Sequence, residues 1–138
     1  MNPRLVSLLL VALPGCALFH RYPRPPHAPP EESAQFQFPF ELPTEGRQVL
    51  SGTTATAIQL AADDFRPPGT KPHDKATALE QCLYRRESFD VYAAPGPEGV
   101  TLVRFVFNPD ACPSGGPVMD AGATYAIDVK RWRILAVE

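Results

Sequence analysis

Few side chains in this 138-residue sequence are placed to do chemistry. The reactive candidates are three cysteines, Cys16, Cys82 and Cys112, and three histidines, His20, His27 and His73. A nucleophile needs a base within reach and a third group to orient that base. His20 and His27 fall among prolines and His73 between two predicted helices, away from the rigid elements that hold such a geometry. Asp63-Asp64 and Glu31-Glu32 are adjacent carboxylates, which point in different directions on a helix or strand and form a solvated face, not an acid and base couple. HExxH, Walker, GxSxG and EF-hand spacings are missing from the sequence. Gly115-Gly116 reads as a turn, because no helix start follows it to make a phosphate cradle. Cys82 and Cys112 lack the neighbouring Cys or His that would complete a zinc site. The expectation is a protein with no catalytic residues, no cofactor and no metal.

The charge balance narrows the partners. A net charge of −2 leaves no basic footprint for nucleic acid. Arg85, Arg86, Arg104, Lys130, Arg131 and Arg133 are the remaining cluster, and a hairpin with a last turn would gather several of them around Trp132. Two readings stay open there: a patch that grips an acidic polymer or a partner, and charge that only solubilises.

Residues 1–15 carry one charge, Arg4, followed by an apolar run through Leu13. That run is about ten residues, whereas a membrane-crossing helix needs ~20, so it fits an export signal. Leu13-Pro14-Gly15-Cys16 resembles the lipobox of bacterial lipoproteins, with Pro14 at the place usually held by a small residue. The resemblance implies cleavage before Cys16 and a diacylglycerol thioether on its sulfur, usually with an N-acyl chain such as palmitate. Several acyl chains hold far more firmly than one, at ~0.8 kcal/mol per buried CH₂. Ala17, where enteric lipoproteins retained at the inner membrane carry aspartate, implies sorting to the outer membrane. The expected location is the bacterial cell envelope, on the membrane through the N-terminal lipid.

With Cys16 given to the lipid, Cys82 and Cys112 remain in an oxidising compartment, where pairing is expected. Closing a loop of about thirty residues stabilises by ~3.7 kcal/mol in the chain-entropy account.

The organisation of the rest follows from proline. Residues 16–43 hold Pro23, Pro25, Pro26, Pro29, Pro30, Pro39 and Pro43, which predict a stiff polyproline spacer with neither helix nor central strand. Within it Phe36, Phe38 and Phe40 alternate with Gln37 and Pro39, so an extended arm would show all three rings on one side. Such rings pack back on the domain, form an edge strand, where Pro39 is allowed, or make a docking strip for a partner protein.

Residues 44–138 predict one small domain. Thr54, Ile58, Ala61, Ala62 and Phe65 recur at helical spacing, with Ser51 or Thr53 as cap and Pro67-Pro68-Gly69 as stop. A weaker helical turn is expected over 74–81. Phe89 to Ala94 and Val100 to Phe107 are strand-like around the turn-forming 95–99. A hairpin centred on Pro97 pairs Phe89 with Phe105, Asp90 with Arg104 and, continued outward, Cys82 with Cys112. Phe89, Val91, Ala93, Val103, Phe105 and Phe107 then share the face towards the helix, and a slip by one residue would turn them outward. Residues 109–122 read as loop, and two more strands follow, around 125–129 and 134–137. The fold class is α+β: one main helix on a curved antiparallel sheet of about four strands.

The ending Ala123-Thr124-Tyr125-Ala126-Ile127-Asp128, then Arg133-Ile134-Leu135-Ala136-Val137, resembles small extracytoplasmic domains of the cystatin-like and PepSY-like kind. That resemblance implies a shape. Gln48-Val49-Leu50-Ser51-Gly52 also approximates the Gln-x-Val-x-Gly loop with which cystatins plug protease clefts, although here it precedes the predicted helix where in cystatins it follows. The expected function is a non-enzymatic, membrane-anchored accessory protein that binds another envelope protein, with Phe36, Phe38, Phe40, Arg131 and Trp132 as contact residues. An inhibitor or immunity-type protein and a polysaccharide-binding module are the alternatives.

Overall fold

The computed structural model describes residues 25–113, 118 and 120–138. Cys16 with its export signal, His20 and the Gly115-Gly116 turn lie outside the described residues. The chain divides into two units between Glu45 and Gly46.

In the first unit a single helical turn, α1 (Pro30–Ser33), interrupts the proline-rich stretch, correcting the expectation that the stretch holds no helix. Pro30 occupies the first turn, where an N–H has no helical acceptor in any case and the fixed φ suits the helix. Glu31 and Glu32 lie at the positive end of the peptide dipoles.

The second unit opens with α2 (Gly52–Phe65), whose cap is Ser51: its hydroxyl accepts from Thr54 N–H at 3.0 Å. Pro67-Pro68 follows, so the helix ends where the sequence demands. The second helix, α3 (Ala78–Leu83), starts four residues later than expected, because Thr77 and Glu80 form a reciprocal capping box there. A 3-10 turn, Arg86–Ser88, leads into the sheet.

Four antiparallel strands in chain order make the sheet: β1 (Phe89–Pro95), β2 (Val100–Phe107), β3 (Ala123–Asp128) and β4 (Arg133–Val137). The expected hairpin register is corrected by two residues. Phe89 faces Phe107, Val91 faces Phe105 and Tyr92 faces Arg104, so Asp90 lies opposite Val106 and not Arg104. The cause is the turn: Val100 N–H closes on Pro97 O at 2.9 Å, and the position needing positive φ is filled by Gly99 at 77°. The centre thus falls on Glu98. A two-residue slip preserves the faces, and Phe89, Val103 and Phe105 remain buried towards α2.

The core is built from Ala57 and Ala61 of α2 against Phe89, Val103, Phe105, Tyr125 and Ile127. The two alanines are fully buried and let the helix lie close on the sheet. Phe65 stacks parallel on Phe105 with centroids 4.5 Å apart and meets Phe89 edge-on at 4.9 Å. The Arg66 guanidinium covers Phe65 at 4.2 Å while its Nε donates to Leu83 O, tying the end of α2 to α3. Arg86 donates to Asp63 Oδ1 and to Arg66 O, so this member of the basic cluster is used in the fold.

Tyr125 joins the layers, its hydroxyl donating to Asp64 Oδ2 at 3.1 Å. Burial, reinforced by the hydrogen bond to Asp64 and its negative charge, pushes the phenol up from 10.0 to about 12. The fold favours the neutral phenol, so its contribution is complete below the ordinary tyrosine range and is lost as pH rises through the folded value. We expect wild-type stability to drop by about 2 kcal/mol more than that of Tyr125→Phe between pH 10 and pH 12. Parallel urea-midpoint curves for the two proteins across that window would contradict this.

Candidate functional site

A disulfide joins Cys82, buried in the last turn of α3, to Cys112 after the 3-10 turn Pro109–Ala111, with Cα atoms 5.7 Å apart. The bond forms although the hairpin register is not the one that would put the two cysteines directly opposite. Its pieces are set by short elements outside the strands: Asn108 N–H donates to Ser88 O at 2.9 Å, and the buried Ser88 hydroxyl donates to Cys82 O at 2.7 Å. Cys82 and Cys112 are thus structural. Cys16 lies outside the described residues.

Phe36, Phe38 and Phe40 follow α1 in irregular backbone, not in a strand. Phe38 is 87% exposed and Phe40 fully so, while Phe36 and Phe38 touch edge-to-face at 5.0 Å. The edge-strand reading of this triplet is not seen, because its backbone is irregular.

Arg131 and Trp132 occupy the turn between β3 and β4. Asp128 organises that turn: Oδ1 accepts from Lys130 N–H and Arg131 N–H, and Oδ2 accepts from Arg133 Nε at 3.2 Å. Desolvation pushes the Asp128 carboxyl up, but the Arg131 N–H, the Arg133 guanidinium and the Lys130 N–H together outweigh it and hold it below the ordinary aspartate value. Trp132 has φ 51°, a left-handed conformation that costs a bulky residue about 1 kcal/mol or more. It is nevertheless 43% exposed.

Lys130, Arg131 and Arg133 flank Trp132 at the β3–β4 turn, but Arg86 and Arg104 do not join them. Arg104 sits four residues along β2 from the strand end, roughly 13 Å at the rise of a strand, and Arg86 is bound to Asp63. Lys130 pairs with Glu98 and Arg133 with Asp128. Arg131 makes no ion pair among the described residues.

Two features were missed by sequence reasoning. The face of the sheet away from α2 carries a row across β1, β2 and β3, Tyr92, Arg104 and Thr124, continued by Glu138 just after β4. An open groove of about 970 Å³ borders it, lined also by Asp120 and Gly122. The second is the free edge of β1, where Val91 and Tyr92 are exposed. The signal for the edge was a strand, Val91-Tyr92-Ala93-Ala94, apolar on both faces, where one buried face predicts alternation.

His27 is exposed, and His73 serves its loop: Nδ1 accepts from Lys75 N–H, and Nε2 lies 3.9 Å from Glu80 Oε1. Among the described residues no group of His, Cys, Asp and Glu is placed to hold a metal, and no helix is long and apolar enough to cross a membrane.

No family model, no curated protein and no solved structure matches this chain. The functional reading therefore rests on these residues alone.

Proposed function

We propose that the protein is a non-enzymatic lipoprotein of the bacterial cell envelope, tethered to the outer membrane through acylated Cys16, whose cystatin-like domain serves as an accessory subunit for an envelope protein partner. The observation that carries the binding role is the exposure of large aromatic side chains. Phe36, Phe38 and Phe40 lie open to water, and Trp132 is kept at a strained turn position that glycine or asparagine would fill more cheaply. Tryptophan and arginine are usual anchors of protein interfaces, and Arg131, which makes no ion pair among the described residues, adjoins Trp132. The open groove beside Arg104, Thr124, Asp120 and Glu138 favours a second reading, a module that binds a polar polysaccharide.

The test is co-purification of a stoichiometric partner from detergent-solubilised membranes with the full chain. Replacing Phe36, Phe38 and Phe40 by Ser, or Trp132 by Gly, should weaken capture about tenfold or more, as loss of central aromatic anchors does. The melting temperature should stay within a few degrees of wild type, because exposed positions contribute little to the fold. Undiminished capture by both variants would remove the aromatic residues from the binding role. An unmodified Cys16 found by mass spectrometry of the purified chain would remove the lipid anchor.

A further inference from the structure

The two turns at one end of the sheet form a single surface. The turn between β1 and β2 is tied to the turn between β3 and β4 where Val129 N–H donates to Gly99 O at 3.0 Å. The Lys130 stem lies so close over Gly99 that a Cβ there would come within 2.9 Å of Lys130 Cε. Glycine at this position thus serves twice, taking the positive φ of 77° and leaving room for the lysine. An open hollow of about 490 Å³ adjoins both turns, lined by the apolar Val100 and Leu135, by the cations Lys130 and Arg131, and by Glu98 and Asp128.

The charges of this end are not equivalent. Asp128 has spent both oxygens inside its own turn, on two N–H groups and on Arg133 Nε, and only 13% of its side chain is exposed. Glu98 is 94% exposed and meets Lys130 Nζ at 3.2 Å, a solvated pair that holds neither partner firmly. Arg131 gives its backbone N–H to Asp128, while its guanidinium makes no ion pair among the described residues. Lys130, Arg131 and Arg133 therefore surround an exposed tryptophan beside a partly apolar hollow, in a chain whose total charge is −2. That reversal of sign orients the molecule, because an acidic surface attracts this end of it.

We infer, resting on the accessory role proposed above, that these two turns bind an acidic peptide segment of the envelope partner. The segment sets an apolar side chain against Val100 and Leu135 and a carboxylate at Lys130 and Arg131, next to Trp132. Glu98 is then the carboxylate that the incoming one displaces from Lys130. Deleting this built-in competitor should strengthen binding, an effect that deleting a residue which only supports the fold would not have.

Trp132 is the single tryptophan of the sequence, so its fluorescence reports this turn. With the full chain in non-ionic detergent, a synthetic peptide of one leucine flanked by glutamates should shift that emission saturably, and more weakly as salt is raised. The same peptide with glutamine for glutamate should not. Arg131→Glu, which keeps the backbone N–H that Asp128 accepts, should weaken the acidic peptide about tenfold or more. Glu98→Gln should tighten it roughly two- to fivefold, the strength of an exposed ion pair. No shift with the acidic peptide, an equal shift with the glutamine peptide, or indifference to either substitution overturns the inference. So does a shift produced by phosphatidylglycerol mixed micelles in place of the peptide, which makes the turn a lipid contact, or by raising the concentration of the chain alone, which makes it a contact between copies. The accessory role fails separately. Capture of a membrane partner that resists both salt and Arg131→Glu leaves that role standing and removes this site, whereas the peptide response without any captured partner keeps the site and removes the role.

Discussion

Cys112→Ser should lower the melting temperature by roughly 15 °C or more, and treatment of wild type with a reductant should lower it by the same amount. The argument begins with the loop, a separation of 30 residues that contains β1, the hairpin turn and β2. Opening it restores freedom to the unfolded chain worth about 3.7 kcal/mol, and in a domain of this size each kcal/mol moves the midpoint by roughly 4–8 °C. Cys112 is the better site to cut than Cys82, because Cys82 is buried beside Ser88 and its replacement would disturb packing as well as connectivity. The control is built in: once Cys112 is serine, reductant should have no further effect. Equal melting temperatures for oxidised and reduced wild type would show that the bond does not stabilise the fold.

That bond also shows where sequence reasoning succeeds and where it stops. Pairing of Cys82 with Cys112 follows from counting cysteines once Cys16 is given another fate, but the hairpin argument offered for it placed the strands two residues out of register. Composition alone centres a turn on the densest run of Pro and Gly, whereas the backbone centres it where a positive φ is needed, at Gly99. The facing set Phe89, Val103 and Phe105 survived because a period of two tolerates an even slip. α2 was legible at both ends, since Ser51 and Pro67-Pro68 are local signals. α1 was not, because proline forbids helix interiors but suits helix starts.

The candidate site was legible only as a set of residue types. Phe36, Phe38 and Phe40 could be singled out from their alternation with polar neighbours, yet whether they were covered depends on tertiary structure. The left-handed Trp132 had no sequence signal at its own position. It follows from Asp128, whose carboxylate captures the N–H groups of Lys130 and Arg131 and forces the reversal before β4. The Tyr125 to Asp64 bond spans 61 residues and required the helix to be placed on the sheet.

Phe105→Ala should cost about 3–5 kcal/mol, the usual range for deleting a buried ring that the surroundings cannot close over. Phe105 is central in the sheet, buried between Phe65, stacked on it at 4.5 Å, and Tyr125, edge-on at 5.9 Å. Removing it opens a cavity under the C-terminal turn of α2, the turn whose Asp64 accepts from Tyr125 and whose Arg66 holds α3. Phe65→Ala should be costly too, but the double variant should lose less than the two single losses combined, by about 0.5–1.5 kcal/mol, because the ring pair is lost only once. Phe38→Ala, deleting the same ring where it is exposed, should change stability by no more than about 0.5 kcal/mol. Urea midpoints at unchanged slope measure all of these. A loss at Phe38 comparable to that at Phe105 would mean that the aromatic strip is part of the core, and the case for its presentation to a partner would fail with it.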